Sequence, residues 1–170
     1  TVASTDPALP FEGLVGKTGL LTLRQGSSQR YVHGIVARFE QHEEGHRSTA
    51  YEVTLVPRVW RLQHRHDYRI FQDLTAPEII EKVLLAAGLS GSDFRIAAQL
   101  TYDRREYSVQ YAETDWAFIN RLMEESGLFC FFEHTAGNHV LVFGDTKAAH
   151  EPIPGPDTAP FRSAGAMHGI

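Results

Sequence analysis

The stretch of residues 105–146 constrains the fold more than any other part of the chain, because both ends of a helix are marked within it. The Thr114 hydroxyl can accept a hydrogen bond from an unpaired first-turn amide, and Asp115 places negative charge at the positive end of the helix dipole. Gly127 can adopt the left-handed conformation that ends a helix. The apolar residues between these ends recur at helical spacing and predict one apolar face: Trp116, Phe118, Ile119, Leu122 and Met123.

Strands are predicted on both sides of this helix. Before it, apolar and polar residues alternate as in a strand with one buried face, with Tyr107, Val109 and Tyr111 set against Ser108 and Gln110. We expect the aromatic side of this strand to face the core. After the helix, residues 128–132 are apolar throughout, which favours a strand covered on both faces. Residues 134–138 then predict a turn, and residues 140–143 the returning strand of a hairpin.

The region of residues 19–60 predicts an antiparallel β-meander of three strands. Its apolar residues alternate along each strand and form the sets Leu21 and Leu23; Tyr31, Ile35, Ala37 and Phe39; and Tyr51, Val53 and Leu55. Gly34, inside the second strand, indicates a bulge or a close approach of another backbone. Three strands leave two unpaired edges, which proteins normally cover, so we expect a further segment or a neighbouring molecule to cover them.

A second helix is predicted after Thr75, where Thr75 and Glu78 form a capping box and Pro77 occupies the first turn. Ile79, Ile80, Val83, Leu84 and Ala87 supply its apolar side, and Gly88 ends it. Two capped helices, each followed by a strand, predict an α+β fold after the meander.

Four segments follow from these patterns. Residues 1–13 are expected to form an irregular lead-in, and residues 14–60 to contain the β-meander. Residues 61–146 form the α+β region with two short helices, and residues 147–170 a linker or extension that lacks periodicity.

Several short runs, taken in order, resemble the hub region of VgrG proteins, the spikes of type VI secretion systems. These spikes are related to phage late-control protein D and to the tail hubs of contractile phages. The runs lie at residues 14–17, 30–36, 69–73 and 106–133. The last of them contains Glu106-Tyr107, Gln110-Tyr111, Glu113-Thr114-Asp115, Phe118, Arg121-Leu122-Met123-Glu124-Glu125, Gly127 and Phe132-Glu133. The similarity covers residues 14–144.

This resemblance implies an antiparallel β-meander that forms part of a phage-tail-type β-barrel, followed by an α+β baseplate-like domain. It implies a structural, non-enzymatic hub that is a homotrimer, sits on an Hcp-like tube ring among baseplate components, and supports a needle. Effectors or a needle-tip protein would be held by downstream domains that we do not expect in this chain. The alternative function most similar to this one is that of the tail hub of a contractile prophage or a bacteriocin.

Composition excludes few functions. A net charge of −5 without a Lys/Arg cluster argues against a nucleic-acid partner. There is no apolar run long enough for a bilayer and no secretory signal. The resemblance to VgrG spikes implies assembly in the bacterial cytoplasm and export by a machine that handles folded protein. The single cysteine, Cys130, lies in an apolar strand and is expected to be an inert thiol.

The nine histidines are the main candidates for a metal site. His64 and His66 would share one strand face, and His42 and His46 lie nearby in the sequence. No cysteine or carboxylate accompanies them at ligand spacing, and a catalytic zinc needs three convergent ligands with a second shell. We therefore predict no metal site and no cofactor.

Acidic residues suggest a glycosidase pair only weakly. Glu124 and Glu125 are adjacent on a helix and point about 100° apart, so they cannot face one substrate together. Asp103, Glu106 and Glu113 supply no second pattern. We predict no catalytic residues.

Nucleophile and phosphate motifs fail as well. The chain has no Gly-x-Ser-x-Gly. In residues 13–18 the first glycine, Gly13, stands two positions too close to Gly16-Lys17-Thr18 for a phosphate loop. Two other classes remain open. A carbohydrate-binding module would need exposed aromatic residues, and a hydrolase would need a pocket holding two titratable groups.

Overall fold

A computed structural model describes residues 1–44 and 47–152, which form nine β-strands and two α-helices. The strands are β1 Val2–Ser4, β2 Thr18–Gln25, β3 Ser28–Glu44, β4 Thr49–Val56, β5 His66–Leu74, β6 Phe94–Ile96, β7 Arg105–Thr114, β8 Phe129–His134 and β9 His139–Gly144. The helices are α1 Ala76–Ala86 and α2 Asp115–Ser126, and short 3-10 helices lie at Phe11–Gly13, Arg58–His64 and Lys147–Ala149. His46 and residues 153–170 of the expected linker lie outside the described residues.

The predicted meander is confirmed as a four-stranded sheet in the order β1-β4-β3-β2, with every pairing antiparallel. The fourth strand corrects the expectation of an irregular lead-in, because Val2–Ser4 pairs with the outer edge of β4. Tyr51 of β4 is fully buried, and its hydroxyl donates to the Asp6 carbonyl oxygen at 2.8 Å. An edge strand carries unpaired backbone groups, and β1 satisfies those of β4 over three residues.

Gly34 is required by a close backbone approach. A Cβ atom at this position would lie 2.8 Å from the Val56 carbonyl oxygen on β4. The bulge is a separate feature, since the β3–β4 register shifts between Val36 and Arg38. Of the two readings of Gly34, close approach is the correct one.

The α+β region is organised around one hydrophobic core between α1, α2 and a three-stranded sheet of order β6-β9-β8, in which β6 runs parallel to β9. Both helices begin and end where the sequence predicts. The Thr75 hydroxyl and the Glu78 side chain form the capping box of α1, and Gly127, with φ 70°, ends α2. Neither helix has the length and apolar character that a membrane crossing requires. The core contains Val59, Leu62, Ile79, Ile80, Val83, Leu84, Leu89, Phe94, Phe118, Ile119, Leu122, Met123, Leu128, Leu141 and Phe143.

The β8–β9 hairpin forms where predicted, but residues 129–132 are half-buried rather than covered on both faces. Only one face of β8 packs on the core, through Cys130 and Phe132, whereas Phe129 and Phe131 lie against His150. Cys130 is half-buried there, and burial raises the pKa of its thiol.

β5 and β7 pair separately as a two-stranded antiparallel ribbon, and here the predicted orientation is wrong. Ser108 and Gln110 of β7 face inward and are buried, whereas the aromatic side faces solvent. The inner face lies over the start of α2, where the buried Asp115 requires polar partners. The alternation predicted the strand correctly, but the need of the buried Asp115 carboxylate for polar partners decided which side faces inward.

Candidate interaction surface

The outer face of the β5–β7 ribbon is apolar and open to solvent. The exposed fractions are 68% for Tyr68, 69% for Ile70, 64% for Tyr107, 37% for Val109 and 75% for Tyr111. Tyr68 lies opposite Tyr111 and Ile70 opposite Val109, and the rings of the two tyrosines meet edge to face with centroids 5.3 Å apart. We call these five side chains the ribbon face. An exposed contiguous apolar patch of this kind is typical of an interaction surface.

A buried ion-pair network lies on the opposite side of the same ribbon. Arg69 Nε donates to Gln110 Oε1 at 2.9 Å, and Arg69 Nη2 donates to Asp115 Oδ1. Gln110 Nε2 donates to the same carboxylate oxygen at 2.9 Å and to the Glu113 carbonyl oxygen at 3.1 Å. Gln110 and Asp115 are completely buried. Because Asp115 begins α2, its charge is also stabilised by the positive end of the helix dipole.

A second arginine approaches the same carboxylate. Arg65 Nε lies 3.2 Å from Asp115 Oδ2 but lacks hydrogen-bond alignment, so Oδ2 has no hydrogen-bond partner. The Arg65 carbonyl oxygen accepts from the Asp115 amide at 2.8 Å. Two guanidinium groups therefore compensate one buried carboxylate. Arg69 attaches the ribbon to α2, and Arg65 attaches the end of the 3-10 helix Arg58–His64 to α2. A lone two-stranded ribbon is marginally stable in water. This network, together with the stacking of Phe71 on Phe118 and the Arg105–Glu125 ion pair, holds the ribbon on α2 with its tyrosines outward.

A bulge shapes the end of the ribbon face. Ala112 is the extra residue of β7 at the register shift between Asp67 and Tyr68, and it takes a left-handed φ of 50°. Bulges twist a strand and redirect the side chains on either side. On one side of the bulge Tyr111 faces solvent, and on the other Glu113 accepts from Arg121 at 2.7 Å.

A second apolar surface lies on β2. This strand pairs only with β3 among the described strands, and Leu20, Leu21 and Leu23 on its two faces are each about half exposed. An apolar edge strand with a free row of backbone groups is a template for another strand. The open edge expected from the meander is therefore present at β2.

Three histidines connect the meander to the β8–β9 hairpin. His33 Nδ1 lies 2.9 Å from His139 Nδ1, and the His33 amide donates to His134 Nδ1 at 3.1 Å. The Arg58 amide donates to His139 Nε2 at 2.9 Å. His33 and His139 are buried. We call His33, His134, His139 and Arg58 the histidine junction.

The surroundings of the histidine junction disfavour positive charge on its imidazoles. Burial, followed by the neighbouring Arg58 and the other histidines, lowers the pKa of His139 from 6.5 to about 4. Burial also lowers the pKa of His33 and of His134. Sequence reasoning missed this site, because the histidines lie 101 and 106 residues apart along the chain and follow no spacing rule.

Of the acidic candidates, Glu113 and Glu125 form ion pairs with arginines. Glu125 accepts from Arg105 at 2.6 Å, and this hydrogen bond lowers the pKa of the Glu125 carboxyl. Glu124, Asp103 and Glu106 are exposed. The structure does not bring these carboxylates together around one cavity. An open depression beside α1 contains Glu78 and Glu81, but the Glu78 carboxylate accepts from the Thr75 amide at 2.7 Å as a helix cap.

The candidate metal histidines are also separated. His64 packs against Trp60, with ring centroids 4.5 Å apart, and His66 is exposed on β5. His42 lies with Glu40 and Glu52, whose ligand atoms come within 4.8 Å of one another. Strand register brings these three residues together, which residue spacing alone did not indicate. Arg38 Nε donates to Glu40 at 2.8 Å and so already neutralises one of the two carboxylates.

The sequence of this chain matches proteins of known family. The family model for the phage tail baseplate hub (GPD) matches residues 1–169. The chain is 41% identical over 168 residues to the type VI secretion system spike protein VgrG1c of Pseudomonas aeruginosa, which covers 98% of this chain and 23% of that protein. It is also 41% identical over 157 residues to the actin cross-linking toxin VgrG1 of Vibrio cholerae, covering 91% of this chain and 14% of the toxin. The chain thus spans less than a quarter of the length of these relatives.

A solved structure agrees with the sequence relatives. The Escherichia coli c3393 protein, described as a component of the type VI secretion system that resembles the bacteriophage T4 tail proteins gp27 and gp5, superposes with a TM-score of 0.80 at 29% identity. The match covers 88% of this chain and 42% of that one. The phage-tail character of the fold and the resemblance to VgrG hubs are therefore confirmed.

Proposed function

This chain belongs to the phage tail baseplate hub family, and on that premise we propose that it forms part of the trimeric hub of a type VI secretion spike. In this role it docks on a tube of stacked Hcp-like rings and supports the needle used for envelope puncture and effector delivery. It assembles on the apparatus in the bacterial cytoplasm and is translocated with the spike. The same geometry suits the hub of a contractile prophage or bacteriocin tail.

The observation that carries the proposal is the ribbon face together with its buried underside. An apolar face on a strand pair costs solubility unless a partner covers it. Here the Arg69–Asp115 network holds that face outward, so its exposure follows from the fold and not from a loose segment. We propose that the ribbon face contacts a neighbouring subunit.

The mechanism on this account is mechanical. A hub driven through an envelope transmits force between subunits, which favours an obligate interface of roughly 2,000–5,000 Å² over the roughly 1,600 Å² of reversible complexes. Rigid attachment of the ribbon to α2 would transmit load from the interface to the hydrophobic core. The residues 14–60 and 61–146 act on this proposal as a partial barrel and a baseplate-like domain.

The test is the mass of the intact protein by light scattering. We expect three copies for the unaltered protein and release of monomer for Ile70→Asp, which places a charge at the centre of the ribbon face. Leu100→Asp is the matched control, since Leu100 is 58% exposed and lies outside the ribbon face. A monomeric unaltered protein would contradict the hub proposal. A trimer that tolerates Ile70→Asp as well as Leu100→Asp would contradict the role of the ribbon face alone.

One observation favours a second candidate function, cell-wall carbohydrate binding. Three exposed tyrosines on one face, Tyr68, Tyr107 and Tyr111, offer rings on which sugars can stack. This candidate predicts retention of the protein on insoluble peptidoglycan and loss of retention in Tyr111→Ala. Failure of the unaltered protein to be retained on insoluble peptidoglycan would exclude carbohydrate binding.

A further inference from the structure

The histidine junction spans the two halves of the described chain. His33 belongs to β3 of the meander, whereas His134 and His139 belong to β8 and β9 of the α+β region. Arg58 lies in the 3-10 helix that follows β4. All three connections described above run through an imidazole nitrogen. We propose that the histidine junction is an acid-sensitive contact, in which protonation of the imidazoles loosens the meander from the β8–β9 hairpin.

The direction of each hydrogen bond fixes the protonation states. His139 Nε2 accepts from the Arg58 amide, so this nitrogen carries no proton. The neutral His139 ring must then hold its proton on Nδ1 and donate it to His33 Nδ1. His33 therefore carries its proton on Nε2, and His134 accepts the His33 amide through an unprotonated Nδ1. A proton added to any accepting nitrogen faces another N–H group and removes a hydrogen bond.

The charged groups around the junction act mainly in the same direction. Arg58, from the 3-10 helix, lowers the pKa of His33 and His139, and Arg30, from β3, lowers that of His134. The three histidines also repel one another's charge. Asp93, from the turn before β6, opposes these effects at His139, but its carboxylate is engaged by Arg58. The Asn138 amide oxygen accepts from Arg58 at 3.1 Å and holds the guanidinium in place.

The sign of the pH dependence follows from these groups. The unfolded chain binds a proton on His139 near its ordinary pKa of 6.5, whereas the folded chain does so only near 4. Between these values the unfolded state binds more protons, so stability is fully present above pH 6.5 and is lost as the pH falls toward 4. For His139 alone, the unfolding equilibrium constant should rise about twentyfold between pH 7 and pH 5.

The experiment compares urea unfolding of the intact protein at pH 7 and pH 5 with that of His139→Gln. Glutamine retains an acceptor for the Arg58 amide but cannot be protonated. Over this range the unfolding constant of each protein rises by some factor. We expect that factor to be at least five times smaller for His139→Gln than for the unaltered protein. The exposed His66 supplies the control, since His66→Gln should keep the full pH dependence.

Equal pH dependence in His139→Gln and the unaltered protein would overturn the proposal, as would a flattened response in His66→Gln. If His139→Gln does not fold, His134→Asn gives a second test, because its side-chain oxygen can accept the His33 amide at the Nδ1 position. Its pH dependence should also be reduced, and an unreduced one would overturn the proposal. All variants are compared at one protein concentration, so assembly enters each unfolding constant alike, and a failure here is distinguishable from a failure of the trimer test.

Discussion

Replacing Asp115 by asparagine should cost far more stability than the same replacement at Asp67, although both carboxylates contact Arg69. Asp115 is completely buried, and Arg69 is only 18% exposed. The Asp67 carboxylate lies 3.3 Å from Arg69 Nε but is 42% exposed. Each substitution therefore removes one negative charge beside Arg69, in a buried environment at Asp115 and in a partly exposed one at Asp67.

The magnitudes follow from burial. Removing one partner of a buried ion pair leaves an uncompensated charge and typically costs about 3–5 kcal/mol. In Asp115→Asn the new side chain keeps one oxygen for Arg69 and Gln110, so we expect the lower end, about 3 kcal/mol. An exposed pair contributes at most about 1 kcal/mol. In Asp67→Asn the new side chain also keeps an oxygen for the Tyr68 amide, which donates to the Asp67 carboxylate at 2.8 Å.

The assay is urea unfolding of the intact protein near neutral pH, with the midpoint and slope fitted for each variant. Hydrogen exchange of the β5 and β7 amides should also rise in Asp115→Asn, because the ribbon loses its buried ionic attachment to the start of α2. Equal losses in the two variants, or a loss below about 1 kcal/mol for Asp115→Asn, would refute the claim that this network holds the ribbon.

Two further substitutions test the packing by urea unfolding. Phe118→Ala should cost about 4 kcal/mol of stability, because Phe118 is completely buried. Trp116→Ala should cost less, about 2 kcal/mol, because Trp116 is half-buried. A larger loss of stability for Trp116→Ala would show that the core is misassigned. Gly34→Ala should cost about 1–3 kcal/mol, since its Cβ meets the β4 backbone, whereas Gly137→Ala, with open space around it, should stay within about 0.5 kcal/mol. Similar effects of the two glycine substitutions would contradict the close approach at Gly34.

The helices could be predicted because their signals are local. The capping box of α1 and the Thr114 and Gly127 ends of α2 each lie within a few residues, and the structure forms the hydrogen bonds that they imply. The three strands of the meander were equally readable, since period-two alternation and the turns between them are also local.

The face of β7 could not be predicted, for a physical reason. Alternation gives the period of a strand but not which side is buried, and hydrophobicity favoured the tyrosine side. The decisive partner of Gln110 is Asp115, and their need for Arg69 appears only when β5 pairs with β7. The short β1 was missed similarly, because pairing with β4, not its own composition, makes it a strand.

The histidine junction shows the same limit. His33 and His139 are 106 residues apart, and their contact depends on how the hairpin packs against β3. No spacing rule connects them, whereas metal motifs or catalytic elbows have one. Side chains that act together through tertiary packing alone leave no pattern in a single sequence.

On the proposed hub function, the ribbon face is covered by another subunit in the intact protein. Hydroxyl-radical modification of Tyr68, Tyr107 and Tyr111 measures this directly, with the urea-unfolded protein as the reference for full exposure. Coverage predicts modification at least fivefold slower in the assembled protein than in the reference. Rates close to two-thirds of the reference, which match the exposure of these tyrosines in the single chain, would contradict the account.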